Sequence, residues 1–313
     1  MKKPFFSIVI PAFNPGDNLK RLVGSLKQST FKNFEVIVVD DGSTKPFPRP
    51  PLAKIIRLTK NHGPAVARNR GVKVAKGKFI VFLDSDVTVF PDTLKNLAHI
   101  YTNDPDIVAV TGVWVKEQQS KAFFPNFKAL RDWSYWINER DKSGYYFLFS
   151  TRIASIKKSV FTRLHGFDEK YPAPLVEDIE LTYRIARRYA IIFAPNVRVR
   201  HEFEGFWPIA KKYFLRAYYW TKLYQRRKKF DPVATTLAEA LTTFSAVFVV
   251  LSVFIDPRIF AFAVAFHIFF IRKFLVFMYK EKGLIFAVKG FFVGIVLYCF
   301  IFAGAVLGRV RYG

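Results

Sequence analysis

The sequence predicts an α/β domain built on a mostly parallel sheet, followed by a helical membrane region. Three observations predict it. Short β-branched runs alternate with helix-spaced segments from Phe6 to Leu83. Basic residues crowd the front part of the chain. Three long apolar stretches follow one another between Leu237 and Leu307.

Taken in order, Phe6–Pro11, Glu35–Asp40, Lys54–Leu58 and Phe79–Leu83 are continuous apolar runs that end in turn or acidic residues. Between them, Asp17–Ser29 and Pro64–Ala75 have helical spacing. Strands that are apolar on both faces and separated by helices form a parallel sheet covered on both sides. Ligands of such sheets bind beyond the carboxyl ends of the strands. Met1-Lys2-Lys3-Pro4 leads straight into the first strand, which leaves no room for the apolar core of a signal peptide.

The three apolar stretches are Leu237–Ile255, Ile259–Tyr279 and Leu284–Leu307. The first and third have about the 20 apolar residues that cross a bilayer. Lys289 lies near the start of the third, where it can snorkel. His267, Arg272 and Lys273 interrupt the middle stretch, so it spans, dips in or lies in the interface. Ahead of these stretches, Trp207–Phe230 carries eight Lys/Arg and no acid, interleaved with aromatics. That is the composition of an interfacial helix on anionic membrane lipids. An RNA-binding helix is the competing reading, and the adjoining apolar tail argues against nucleic acid. Arg226–Lys229 places the front domain on the cytoplasmic side of a cell membrane. The expected division is a catalytic domain over 1–205, a basic juxtamembrane segment over 206–232, and two to three spans over 233–313.

Composition supports this organisation. The chain has 313 residues, of which 51% are hydrophobic and 18% aromatic, so neither disorder nor low-complexity character fits. Cys299 is the only cysteine, which excludes an internal disulfide and a cysteine-rich zinc site. The net charge of +25 divides into +5 over residues 233–313 (eight Lys/Arg, three acids) and +20 over residues 1–232. Such a charge draws phosphate-bearing partners.

Four motifs carry chemistry. Asp84-Ser85-Asp86 follows the strand FIVFL, and carboxylates at i and i+2 of an extended segment point the same way. A divalent cation relieves their repulsion and keeps positions open for phosphate oxygens. Asp40-Asp41-Gly42 follows EVIVV, where acids can accept from a ribose hydroxyl or a base N–H; a helix cap or turn is the plain alternative. Arg68 and Arg70 bring two guanidiniums near the place of a diphosphate, with surface arginines as the alternative. Glu177-Asp178 follows Pro172-Ala173-Pro174 and starts the helical run Ile179–Tyr189. Acids there complement the helix dipole, and one facing a ligand can act as a general base.

These pieces, in this order, resemble the inverting family 2 glycosyltransferases, which have the GT-A nucleotide-diphospho-sugar fold. The matching segments are SIVIPAFN, VVDDGST, ARNRG, FLDSD, IKKSVFTRLHGFDE and VEDIELTYRI, over roughly residues 5–205. The resemblance implies that Pro11 and Phe13 line the nucleotide cleft and that Asp41, with Asp40, contacts base or ribose. It implies that Arg68 lies against the nucleotide, that Asp84 faces the ribose or donor sugar, and that Asp86 binds Mg²⁺ or Mn²⁺. Gly166–Glu169 would border the acceptor side. Asp178 would deprotonate an acceptor hydroxyl, with Glu177 beside it. Asp84 and His201 would join Asp86 at the metal or diphosphate.

The donor implied is a UDP- or GDP-linked sugar. The acceptor implied by the acid pair is a hydroxyl of a lipid-linked saccharide, another glycan or a glycolipid. A polyprenyl-phosphate hexose synthase is the alternative, because a phosphate nucleophile needs no base. A membrane-tethered module for acidic polymers is a more distant one. The processive synthases' Q-x-x-R-W motif is missing: Gln225-Arg226-Arg227-Lys228-Lys229 contains no Trp.

Overall fold

The computed structural model describes residues 3–45, 50–138, 147–171, 175–228, 230 and 236–312. Pro172-Ala173-Pro174 and Lys229 lie outside the described residues. The chain divides into two units: Met1–Val115 with Ser143–Glu202, and Lys116–Lys142 with Phe203–Gly313. The segment after Val115 thus groups with the helical unit. That segment has an apolar face of its own, and its core partners are in the C-terminal helices.

In chain order the elements are β1 (Phe6–Ala12), α1 (Asp17–Lys27), β2 (Phe34–Asp40), β3 (Ala53–Arg57), α2 (Pro64–Val74), β4 (Phe79–Leu83), β5 (Val87–Val89), α3 (Thr93–Asn103) and β6 (Ala109–Trp114). There follow α4 (Phe123–Trp133), which continues as a π-helical turn over Ser134–Asn138, then β7 (Ile153–Lys157), α5 (Lys158–Arg163), α6 (Glu177–Ala186) and β8 (Ile191–His201). The chain closes with α7 (Phe206–Arg227), α8 (Leu237–Ser252), α9 (Pro257–Lys282) and α10 (Leu284–Tyr312).

The first unit is one mixed sheet of order β3-β2-β1-β4-β7-β6-β8-β5. Its first four strands are parallel, with Ile8 opposite Val36 on one side and Val81 on the other. β7 runs antiparallel between β4 and β6. The central strands are buried on both faces, as their unbroken apolar runs require. Helix α1 buries Leu19, Leu22, Val23 and Leu26, one stripe of a 3.6-residue period. Helix α2 starts with Pro64 at its first turn and lies close on the sheet at Gly71, where a Cβ would come within 2.4 Å of Val9. The strand order reverses between β1 and β4, and the carboxyl ends of strands at such a reversal are where open α/β sheets bind ligands.

The helical unit has two apolar clusters. Phe124 and Phe127 of α4 pack with Ile209, Ala210 and Tyr213 of α7, Met278 of α9, and Ala287 and Leu297 of α10. Ala246 and Val249 of α8 pack with Ala263 of α9 and Ile295 of α10. Helix α7 approaches α10 backbone to backbone. A Cβ at Gly304 would lie 2.1 Å from the Phe214 carbonyl oxygen, and one at Gly308 would lie 2.6 Å from that of Tyr218. Small residues four apart permit this approach.

Two of these helices, α9 and α10, are long and apolar enough to cross a membrane. The middle stretch, undecided in the sequence, thus has spanning length. The first stretch, expected to span, forms a 16-residue helix that stops at Ser252. At 1.5 Å per residue, that helix is about 24 Å long, below the roughly 30 Å of a bilayer core. Its end is set by the next helix, where the Asp256 carboxylate caps α9 by accepting from Arg258 N at 2.8 Å.

Candidate active site

The carboxyl end of β1 meets that of β2 through Asn14. Its Oδ1 accepts from Thr44 N at 3.0 Å and Lys45 N at 3.2 Å, and its own N–H donates to Ser43 Oγ at 2.9 Å. Pro11 is half-buried within β1, and Phe13 just beyond it is 46% exposed. An exposed aromatic beside a polar loop is available to a planar ligand.

Asp40 and Asp41 are both buried. Asp40 accepts from Ser43 N at 2.8 Å and pairs with Arg57 at 3.5 Å. Asp41 accepts from His62 N at 2.9 Å and Gly63 N at 2.8 Å, which fixes the turn into α2. Gly42 is required between these loops. Its φ is +72°, and a Cβ there would lie 2.4 Å from the Lys60 carbonyl carbon. Both acids therefore have the cap-and-turn partners that the plain sequence reading gave them.

The sequence reading puts Arg68 against the nucleotide. In the structure this side chain is 2% exposed, and both terminal nitrogens go to carboxylates. One donates to Asp84 Oδ1 at 2.8 Å, the other to Glu177 Oε1 at 2.8 Å. The guanidinium carbon also lies 5.4 Å from the centre of the Phe167 ring. Burial works against the Arg68 charge, and Asp84 and Glu177 more than offset it, so its pKa is raised.

Glu177 and Asp178 separate at this point. Glu177 is 2% exposed, and its second oxygen accepts from Leu175 N at 2.9 Å. Both of its oxygens thus hold the protein together. Asp178 is half-buried and accepts from Ile179 N at 2.8 Å. Its backbone carbonyl accepts from Thr182 Oγ1 at 2.7 Å, and that hydroxyl accepts from Phe149 N at 2.9 Å, which pins the start of α6.

Val87 pairs with His201 across β5 and β8. That register brings His201 Nε2 to 3.4 Å from Asp86 Oδ2. Asp84, Asp86 and His201 do not converge as a trio: among the described residues no group of three His, Cys, Asp or Glu side chains is placed to hold a metal. The carboxylate–imidazole pair of Asp86 and His201 still suits a divalent ion that takes its remaining ligands from phosphate and water.

Asn69 received no role from the sequence. Its Oδ1 accepts from Phe167 N at 2.9 Å, and its Nδ2 donates to Phe167 O at 2.9 Å and Glu169 Oε1 at 3.0 Å. It clamps the Gly166–Glu169 loop, where Gly166 has φ +67° and a Cβ would lie 2.5 Å from Asn69 Oδ1. The available signal was its place between Arg68 and Arg70, on the helix whose Arg68 binds Asp84.

Residues 7–160 match the family described as Glycosyl transferase family 2. The succinoglycan biosynthesis protein ExoO of Rhizobium meliloti (strain 1021) is 34% identical over 125 residues, 36% of this chain and 36% of that protein. The uncharacterized glycosyltransferase YibD of Escherichia coli (strain K12) is 35% identical over 120 residues, 34% of each. The chain thus matches about a third of the length of these relatives. Among solved structures, the mannosyltransferase PcManGT from Pyrobaculum calidifontis, in complex with GDP-Man and Mn²⁺, has a TM-score of 0.62 at 18% identity. It covers 100% of this chain and 89% of that one. GalNAc-T7 with UDP, GalNAc and Mn²⁺ has a TM-score of 0.50 at 21% identity, over 65% of this chain and 44% of that one.

Proposed function

Since residues 7–160 carry a glycosyl transferase family 2 domain on a GT-A fold, we propose that the protein is a membrane-bound inverting glycosyltransferase. It moves a sugar from a UDP- or GDP-linked donor to a hydroxyl of a lipid-linked saccharide or glycolipid. The observation that carries this reading is the Arg68 bridge, with 2.8 Å to Asp84 and 2.8 Å to Glu177. It ties the D-x-D segment to the acid pair at the start of α6, the two pieces a transfer to a hydroxyl needs together.

The residues then divide the work. Pro11, Phe13, Asp40 and Asp41 surround the nucleoside. Asp84, held by Arg68, faces the ribose or donor sugar. Asp86 and His201 would hold a Mg²⁺ or Mn²⁺ ion, which when bound would supply Lewis-acid compensation for the charge of the diphosphate. Asp178 takes the proton of the acceptor hydroxyl as its oxygen bonds to the anomeric carbon. The bond from that carbon to the phosphate oxygen breaks, its electron pair leaves with the nucleoside diphosphate, and the centre inverts. Glu177 is a positioning residue, because its two oxygens are committed to Arg68 and Leu175. The length of α9 and α10 and the basic face of α7 support attachment to a cytoplasmic membrane surface.

A screen of nucleotide sugars with the full-length chain, reading released nucleoside diphosphate with and without Mn²⁺, tests the reading. Metal-dependent release with one sugar supports it, and no release from any sugar counts against it. Transfer to a polyprenyl phosphate that survives Asp178→Asn would replace the hydroxyl acceptor by a phosphate.

A further inference from the structure

The helical unit contains a cavity of about 470 Å³ where the segment entering α4 meets the turn between α9 and α10. Lys121 and Phe123 line one side, and Lys282, Ile285, Phe286 and Lys289 line the other. Asn126 sets the first side in place, its Nδ2 donating to Ser120 O at 2.7 Å and Ala122 O at 2.8 Å.

All three lysines are exposed, and none forms an ion pair among the described residues. The adjacent carboxylate, Glu281, is already held by Lys116 at 2.5 Å. Three ammonium groups around one cavity repel each other, and an anion with several oxygens relieves that repulsion. Gln118, Ser120 and Asn126 add polar groups to the lining, and Phe123, Ile285 and Phe286 form an apolar part. The Phe123 and Phe286 rings lie 4.7 Å apart, and Ile285 is 74% exposed. Helix α9 ends and α10 begins at this turn, so where both cross a bilayer the turn falls at the level at which phosphate headgroups meet acyl chains.

We propose that this cavity binds the phosphate of an anionic bilayer phospholipid. Lys121, Lys282 and Lys289 contact the phosphate oxygens, and the acyl chain lies along Ile285 and Phe286. The proposal rests on the membrane part of the functional reading and is independent of the transfer chemistry.

The test uses the full-length chain in nanodiscs of phosphatidylcholine, with or without phosphatidylglycerol, and follows thermal unfolding. Phosphatidylglycerol is expected to raise Tm of the parent by about 2–4 °C. A variant carrying Lys121→Gln, Lys282→Gln and Lys289→Gln should keep less than half of that rise. A variant carrying Lys20→Gln, Lys73→Gln and Lys95→Gln, exposed lysines of the first unit, should keep most of it. The reverse pattern, or equal responses of the cavity variant and the parent, overturns the site. Inorganic phosphate giving the same rise in phosphatidylcholine discs overturns a lipid as its source. Carbonate extraction of native membranes reads the premise separately: release of the chain overturns the membrane reading itself, whereas retention combined with an unresponsive cavity overturns the lipid site alone.

Discussion

Arg68 and Glu177 stand 109 residues apart in the chain and share a 2.8 Å charge-assisted hydrogen bond that is almost wholly shielded from water. The same guanidinium holds Asp84, so one cation fixes two acidic motifs. Breaking a buried pair by removing one partner strands the other charge. Arg68→Ala is expected to destabilise the protein by about 3–5 kcal/mol. Arg68→Lys, with one nitrogen in place of a fork, should recover only part of that. Denaturant midpoints of the two variants check this, and an unchanged midpoint for Arg68→Ala would show that the bridge adds nothing.

Neighbouring acids should fail in different ways. Asp178→Asn is expected to lower turnover by about 10²-fold, the usual loss for a general base, with Tm close to the parent's. Glu177→Gln removes the charge that Arg68 grips, so its main effect should be a lower Tm. Turnover and Tm measured side by side decide it, and a larger turnover loss in Glu177→Gln would reverse the assignment.

The Asp86–His201 pair, 3.4 Å apart, leads to a metal-linked expectation. Asp86→Ala and His201→Ala should each weaken nucleoside diphosphate binding in the presence of Mn²⁺ by about tenfold or more. Their binding with EDTA present should match the parent's. Calorimetric titration under both conditions reads this directly, and an equal loss under both would mean that the residues act without a metal.

Asn69 should matter through the loop it clamps. Asn69→Ala removes one acceptor and two donor contacts to Phe167 and Glu169, and a loss of about 1–3 kcal/mol is expected. Proteolysis should then cut the 166–169 loop sooner than in the parent.

Gly304 offers a test of the helical unit. A Cβ there would lie 2.1 Å from the Phe214 carbonyl, so even Ala must push α7 off α10. Gly304→Val is expected to cost about 1–3 kcal/mol through overpacking, whereas Gly294→Ala, with open space around it, should be neutral. Thermal unfolding of the two variants in detergent separates the cases.

The parallel half of the sheet was legible because its strands are largely apolar runs that end in turn or acidic residues: β4 occupies Phe79–Leu83 as read, and the ends of β1, β2 and β3 lie within one residue of the reading. The partners of Arg68 were not legible. An arginine beside a sheet edge reads the same whether it faces a nucleotide or two carboxylates, and its partners come from 16 and 109 residues away. Nor does the sequence separate Glu177 from Asp178, since only burial tells two adjacent acids apart. The end of α8 at Ser252 is not marked in the sequence, because apolar character runs on through Val253, Phe254 and Ile255, which are 59%, 85% and 64% exposed past the helix end. The polar cap of α9 outweighs that hydropathy.

The segment from Lys116 to Lys142 also governs the order in which the molecule can be completed on the ribosome. Helix α4 ends at Trp133, and its last partner, α10, ends at Tyr312, about 180 residues later. At translation rates of about 5–20 residues per second, its apolar face waits roughly 10–40 s for cover. The sheet closes earlier, at His201, and does so around a segment whose own partners have not yet been synthesised. Cutting the gene after codon 202 would retain every strand and leave α4 permanently without α7, α9 and α10, so a water-soluble catalytic fragment requires removing two pieces of sequence rather than one.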